Sequence, residues 1–61
     1  MKEKTCKCIN EYKIGDFIFH KRREYQVDVC PLWYQVYNNG GWSDYVFLEE
    51  DEFNKYFKLI D

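Results

Sequence analysis

Glycine and proline are scarce in this chain, with three glycines and one proline in 61 residues. Gly15 stands alone and Gly40-Gly41 are adjacent, so no glycine-rich loop is present to cradle a phosphate. The three cysteines are an odd number, which argues against a closed disulfide framework and suits a reducing compartment. Histidine occurs once. No apolar run approaches the roughly 20 residues that cross a membrane. The charged first ten residues are not followed by the apolar stretch of a signal peptide. The expectation is a cytoplasmic protein with no membrane association. Its length leaves room for one domain.

Aromatic residues are plentiful. Thirteen of the 61 are Phe, Tyr or Trp. A domain this small buries little surface, and rings that each cover roughly 150–250 Å² are an effective way to fill a thin core. Charge is unevenly spread. Residues 1–23 hold seven Lys/Arg against three Asp/Glu, whereas residues 24–61 hold two against eight. The net charge of −2 therefore combines a basic first part with an acidic second part.

Strand signals dominate. Tyr25, Val27 and Val29 alternate with Glu24, Gln26 and Asp28, the pattern of an antiparallel strand with one buried face. Pro31 ends that strand, since it has no ladder donor. Phe17-Ile18-Phe19 makes an earlier strand after a Gly15-Asp16 turn. Two further runs, Leu32–Tyr37 and Trp42–Leu48, flank Asn38-Asn39-Gly40-Gly41. An Asn-Gly step between such runs predicts a tight hairpin, because a type I′ turn needs positive φ at both central residues. A symmetric turn pairs Tyr37 with Trp42, Gln35 with Asp44 and Trp33 with Val46. Leu32, Tyr34, Val36, Ser43, Tyr45 and Phe47 then face the core, and Trp33, Tyr37 and Trp42 face outward. A bulge at Gly41 would exchange the faces of one strand. Phe53, Tyr56 and Phe57 at i, i+3, i+4 predict a short helix, with Glu49 to Glu52 at its start and Lys55 and Lys58 near its end. Lys58 to Asp61 offers a closing strand. Residues 1–11 show no period and are expected to be a flexible polar tail, or at most a short edge strand, with residues 12–61 as the single domain.

This order of strands, hairpin, helix and closing strand resembles an SH3-like β-barrel, mainly β, with about five antiparallel strands and one short C-terminal helix. Tyr12-Lys13-Ile14-Gly15-Asp16, Tyr25-Gln26-Val27, and Leu48-Glu49-Glu50-Asp51-Glu52-Phe53 with Tyr56-Phe57 are similar to segments of the small SH3-like proteins of bacteriophages and mobile elements. The resemblance spans residues 12–57 and leaves out the Cys6-x-Cys8 segment. It implies the fold and a phage or bacterial origin, and it brings no catalytic residues.

Four side chains, Cys6, Cys8, His20 and Cys30, match a tetrahedral zinc site in number. Their spacing does not: Cys-x-Cys is less typical than Cys-x-x-Cys, and the other two stand alone. No metal or other cofactor is expected. Nor is an enzyme, because a chain of this length leaves little room for a pocket of the usual roughly 300–1,000 Å³. Nucleic-acid binding has a compact cationic cluster in its favour, Lys21, Arg22 and Arg23, with aromatic rings available to stack on bases. Overall acidity weighs against it. Protein binding through Trp33, Tyr37 and Trp42 is favoured, since Trp and Tyr are common interface anchors. The expected function is a non-enzymatic interaction module, a phage or mobile-element protein that binds a host protein, with inhibition of a host defence nuclease as one form. A small nucleic-acid-binding barrel using Lys21, Arg22 and Arg23 is the alternative. Self-association, through the aromatic patch or an exposed strand edge, is a further option.

Overall fold

The computed structural model describes residues 2–38 and 44–60. The described residues run in the order β1 (Lys2–Cys8), β2 (Tyr12–Ile14), β3 (Phe17–Phe19), β4 (Glu24–Val29), β5 (Tyr34–Tyr37), β6 (Tyr45–Leu48), α1 (Glu50–Tyr56) and β7 (Phe57–Leu59). The protein is thus mainly β with one short helix. Five strands form an antiparallel sheet in the order β6-β5-β4-β1-β7, and β2 and β3 form a separate two-stranded ladder. No closed barrel forms among the described residues, and β6 and β7 are the two edges of the sheet.

The segment expected to be a loose tail is instead an interior strand. β1 pairs with β4 from Lys2↔Val29 to Lys7↔Glu24, and with β7 from Cys6↔Leu59 to Cys8↔Phe57. The physical reason lies in Cys6 and Cys8, both 0% exposed. Buried thiols behave as small hydrophobes. Cys6 and Cys8 on either side of Lys7 are therefore a period-two apolar pair. Ile9 and Asn10 continue the attachment by donating their backbone N–H groups to the Tyr56 carbonyl at 2.7 and 3.4 Å.

Gly15 turns β2 into β3 with a φ of 56°, a left-handed conformation that costs glycine little. Phe19 is fully buried and Phe17 half-buried, while Ile18 on the opposite face is exposed. β4 has the expected alternation, with Tyr25 and Val27 buried and Glu24 and Gln26 exposed. Beyond it Cys30 donates its N–H to the Trp33 carbonyl at 3.0 Å. Pro31 and Leu32 are thereby the two corner residues of a tight hairpin. Leu32, expected in the core, is 80% exposed at that corner.

The β5–β6 register differs from the symmetric pairing. Tyr37 faces Tyr45, Val36 faces Val46, Gln35 faces Phe47 and Tyr34 faces Leu48. Asn38 donates its N–H to the Asp44 carbonyl at 2.7 Å. The connection is therefore longer than a two-residue turn. The expected Asn39-Gly40 turn and Trp42 lie outside the described residues. The shift is by an odd number of residues, so β5 keeps its expected faces and β6 exchanges them. Val46 and Leu48 are buried, and Tyr45 and Phe47 are exposed. This choice brings Val46 and Leu48 into the apolar cluster with Val27, Val36 and Phe53.

Helix α1 and strand β7 complete the core. Phe53 is buried and stacks on Tyr34 at 4.1 Å between ring centres and on Phe57 at 5.5 Å. Phe57 meets Phe19 edge-on at 5.4 Å, and Phe19 meets Tyr25 edge-on at 4.9 Å. Glu50, Asp51 and Glu52 fill the first helical turn and Lys55 the last, matching the helix dipole. The helix stops one residue before Phe57, which opens β7. The closing strand therefore starts earlier than Lys58.

Candidate interaction surface

The outer face of β5 and β6 carries a row of rings. Trp33 meets Phe47 edge-on at 6.0 Å, Phe47 meets Tyr45 at 5.3 Å, and Tyr45 meets Tyr37 at 5.8 Å. Edge-to-face contacts at these spacings are favourable between ring quadrupoles. The row arises from strand geometry, because Tyr37 and Tyr45 are opposite each other and Phe47 lies two residues further along the same face. The tight corner at Pro31 and Leu32 then places Trp33 beyond Phe47.

The four rings differ in accessibility. Phe47 is 58% exposed, Trp33 39% and Tyr45 37%. Tyr37 is covered, and its hydroxyl donates to Asp28 Oδ2 at 2.7 Å while accepting from Gln35 Nε2 at 3.1 Å. The hydrogen bond to the Asp28 carboxylate, with burial adding to it, pushes the Tyr37 phenol up to about 12. Tyr37 thus anchors the row to β4 and offers little surface of its own. Of the expected patch of Trp33, Tyr37 and Trp42, Trp33 is on the surface and Trp42 lies outside the described residues. Phe47 and Tyr45 take the exposed places that the symmetric register assigned elsewhere. The sign that could have found them was the bulge alternative at Gly41.

Beside Trp33 a cavity of about 520 Å³ opens between the β4–β5 corner and helix α1. Its walls include Leu32, Trp33, Tyr34, Glu49, Glu50 and Glu52. The length of the chain suggested too little room for a pocket, yet this volume falls in the usual ligand range of roughly 300–1,000 Å³. Helix α1 packs on the core through Phe53 and Tyr56, and the start of the helix, Glu49 to Glu52, forms the acidic wall of this space. A second, shallower recess of about 310 Å³ lies between Trp33 and Phe47.

The cationic cluster occupies a different region. Arg22 donates its N–H to the Cys8 carbonyl at 2.7 Å, and Cys8 donates to the Arg23 carbonyl at 2.9 Å. Arg22 has a φ of 77°, a left-handed conformation rare outside glycine and asparagine. Lys21, Arg22 and Arg23 are exposed. The register adds Lys7 and Lys58, which face each other across β1 and β7 next to this turn.

The candidate zinc ligands are spread apart. Cys6 and Cys8 face the core, His20 is exposed beyond β3, and Cys30 sits at the far end of β4. Among the described residues no group of three or more His, Cys, Asp or Glu is arranged to hold a metal. Burial pushes the Cys6 thiol up to about 12, and the neighbouring Cys8 adds to it. Burial also raises Cys8, so both thiols are poor nucleophiles. No helix among the described residues is long and apolar enough to cross a membrane. No protein-family model, curated protein or solved structure matches this chain.

Proposed function

We propose that this chain is a non-enzymatic interaction module that binds a protein partner through Trp33, Phe47 and Tyr45. The observation that carries the reading is the row of three exposed rings on one sheet face. Scattered apolar residues are normal on protein surfaces, but contiguous aromatic patches mark interaction sites. Trp and Tyr are also enriched among the anchors of interfaces. An SH3-like barrel is the fold reading that fits best. Its support is the succession of strands, hairpin, helix and closing strand, with β7 returning to pair with β1. On our reading of residues 12–57 as resembling small phage and mobile-element proteins, the partner is a host protein and the setting the cytoplasm. Inhibition of that host protein is the form of action such proteins suggest.

The test is capture from bacterial lysate by the purified chain, with and without nuclease, beside a Trp33→Ala/Phe47→Ala variant. The expected result is one identified protein that survives nuclease, is lost with the variant, and binds again when purified. Retention by the variant, or loss on nuclease treatment, would overturn the reading.

A second reading, nucleic-acid binding, has one specific observation in its favour. The fold adds Lys7 and Lys58 to Lys21, Arg22 and Arg23, five cations in one region. Binding there should weaken steeply as salt rises, with a slope in proportion to the phosphates neutralised.

A further inference from the structure

The two edges of the main sheet are built differently. β7 is three residues long and carries Lys58. Short strands and lysines are common protections for a sheet edge. β6 reads Tyr45-Val46-Phe47-Leu48, with no lysine, proline or glycine. All four residues favour extended structure or apolar packing.

The backbone of β6 is oriented for a further strand. The Asn38 N–H bond to the Asp44 carbonyl marks residues 38 and 44 as a hydrogen-bonded pair. In an antiparallel ladder such pairs alternate, so Val36↔Val46 and Tyr34↔Leu48 are hydrogen-bonded as well. Tyr45 and Phe47 then turn their N–H and C=O groups away from β5, toward the open edge. Their side chains are the exposed rings of the outer face. Among the described residues no strand pairs with these groups, so one pair of residues offers outward backbone groups and apolar surface together.

Charge selects the occupant. Asp44 and Glu49 bracket β6, and both are exposed. A second copy of this chain would bring four carboxylates to one seam with no cation on β6 to offset them. Like charges facing each other across a strand pair are destabilising. A strand with cations at both ends meets the opposite situation.

We propose that the open edge of β6 is a strand-addition site for an extended segment of a partner protein, apolar at alternate positions and flanked by lysine or arginine. The proposal rests on the protein-binding reading above and names its mode. Main-chain hydrogen bonds to Tyr45 and Phe47 supply affinity, and alternate side chains beside the Phe47 and Tyr45 rings supply selectivity.

The experiment titrates the isotope-labelled chain with the hexapeptide Lys-Thr-Val-Thr-Val-Lys, blocked at both ends, and with the same peptide carrying Glu at both ends. Nuclear magnetic resonance shifts and amide hydrogen exchange are the readouts. The expected result is slowed exchange at the Tyr45 and Phe47 amides with the Lys peptide, and about tenfold weaker binding of the Glu peptide, the scale of two exposed charge pairs. Tyr45→Pro removes an outward N–H without touching the β5 ladder, and should bind about fivefold more weakly than Tyr45→Ala, the scale of one hydrogen bond. If Tyr45→Pro does not fold, exchange in the unmodified chain decides. Shifts at Trp33 with unchanged exchange at Tyr45 and Phe47 would overturn strand addition and leave the aromatic-face reading standing. Absence of binding by either peptide would overturn strand addition, while partner capture by Trp33 and Phe47 is judged separately. A doubled mass without peptide would make the occupant a second copy and overturn the assigned partner.

Discussion

Replacing Phe47 by alanine should cost less stability than replacing the smaller Val46, which follows directly from the β5–β6 register. Phe47 is 58% exposed. It therefore gains under half of the roughly 1.5–3 kcal/mol that full burial of a large apolar side chain provides, or about 1 kcal/mol. Val46 is 7% exposed and packs in the central cluster. Val46→Ala removes two methyl groups at about 0.8 kcal/mol each and leaves a cavity, for a total near 2 kcal/mol. Leu48→Ala, at a residue 1% exposed, should cost about 2–5 kcal/mol. A chain of this length has roughly 3–9 kcal/mol in all, so Leu48→Ala approaches complete unfolding and Val46→Ala gives the readable number. Urea titration followed by tryptophan fluorescence measures each value, and a loss of 1 kcal/mol lowers Tm by about 4–8 °C in a domain of this size. Phe47→Ala costing as much as Val46→Ala or more would refute the register. The outer aromatic row and the orientation of the β6 edge would fall with it.

Removing residues 1–11 should abolish the dispersed amide spectrum of the folded chain, because β4 and β7 lose the strand that joins them; a folded spectrum from residues 12–61 would restore the tail reading. Arg22→Gly should raise stability by about 1 kcal/mol, the order of the cost of a left-handed conformation in a residue with a Cβ, and this is measurable as a rise in Tm. The Cys6 thiol keeps its proton in the fold up to about pH 12 and loses it near 9.0 when unfolded. Between those values the folded state binds more protons, so stability should fall as pH rises, by up to about 1.4 kcal/mol per pH unit. Cys6→Ala should flatten that slope in denaturation curves taken at pH 9 to 11. Cys6 and Cys8 should resist a thiol reagent at pH 8 until denaturant is added, and prompt labelling of both would contradict their burial.

Much of the fold was legible from local pattern. The alternation of Tyr25 and Val27, the punctuation by Gly15 and Pro31, and the spacing of Phe53 and Phe57 each act within a few residues. Sequence separation does not blur such signals. β1 is hard to read because its apolar period rests on two cysteines in a lysine-rich segment, and only their full burial shows them packing as small apolar groups. The faces of β6 were missed because register depends on how long the connection after Asn38 is, and a two-residue turn was assumed. That error moved Phe47 and Tyr45 out of the candidate patch, while Tyr37 on β5 keeps its face in either register. Tyr37 could not be excluded from sequence alone, since its cover depends on Asp28, nine residues away on the neighbouring strand.

The position of β1 also sets a schedule for synthesis. β1 is made before either of its partners. β4 follows after about 20 residues and β7 after about 50, so at the usual rate of about 5–20 residues per second β1 waits roughly 1–4 s for the first and 2.5–10 s for the second. Until β7 leaves the ribosome, one flank of β1 is an open template and the rings that cover Cys6 and Cys8 are incomplete. Pairings this distant in sequence also slow refolding of the free chain, because the loop must close before the contact rewards it. Each molecule therefore spends seconds of its synthesis with an unfinished sheet, its exposed strand flank open to pairing with other chains.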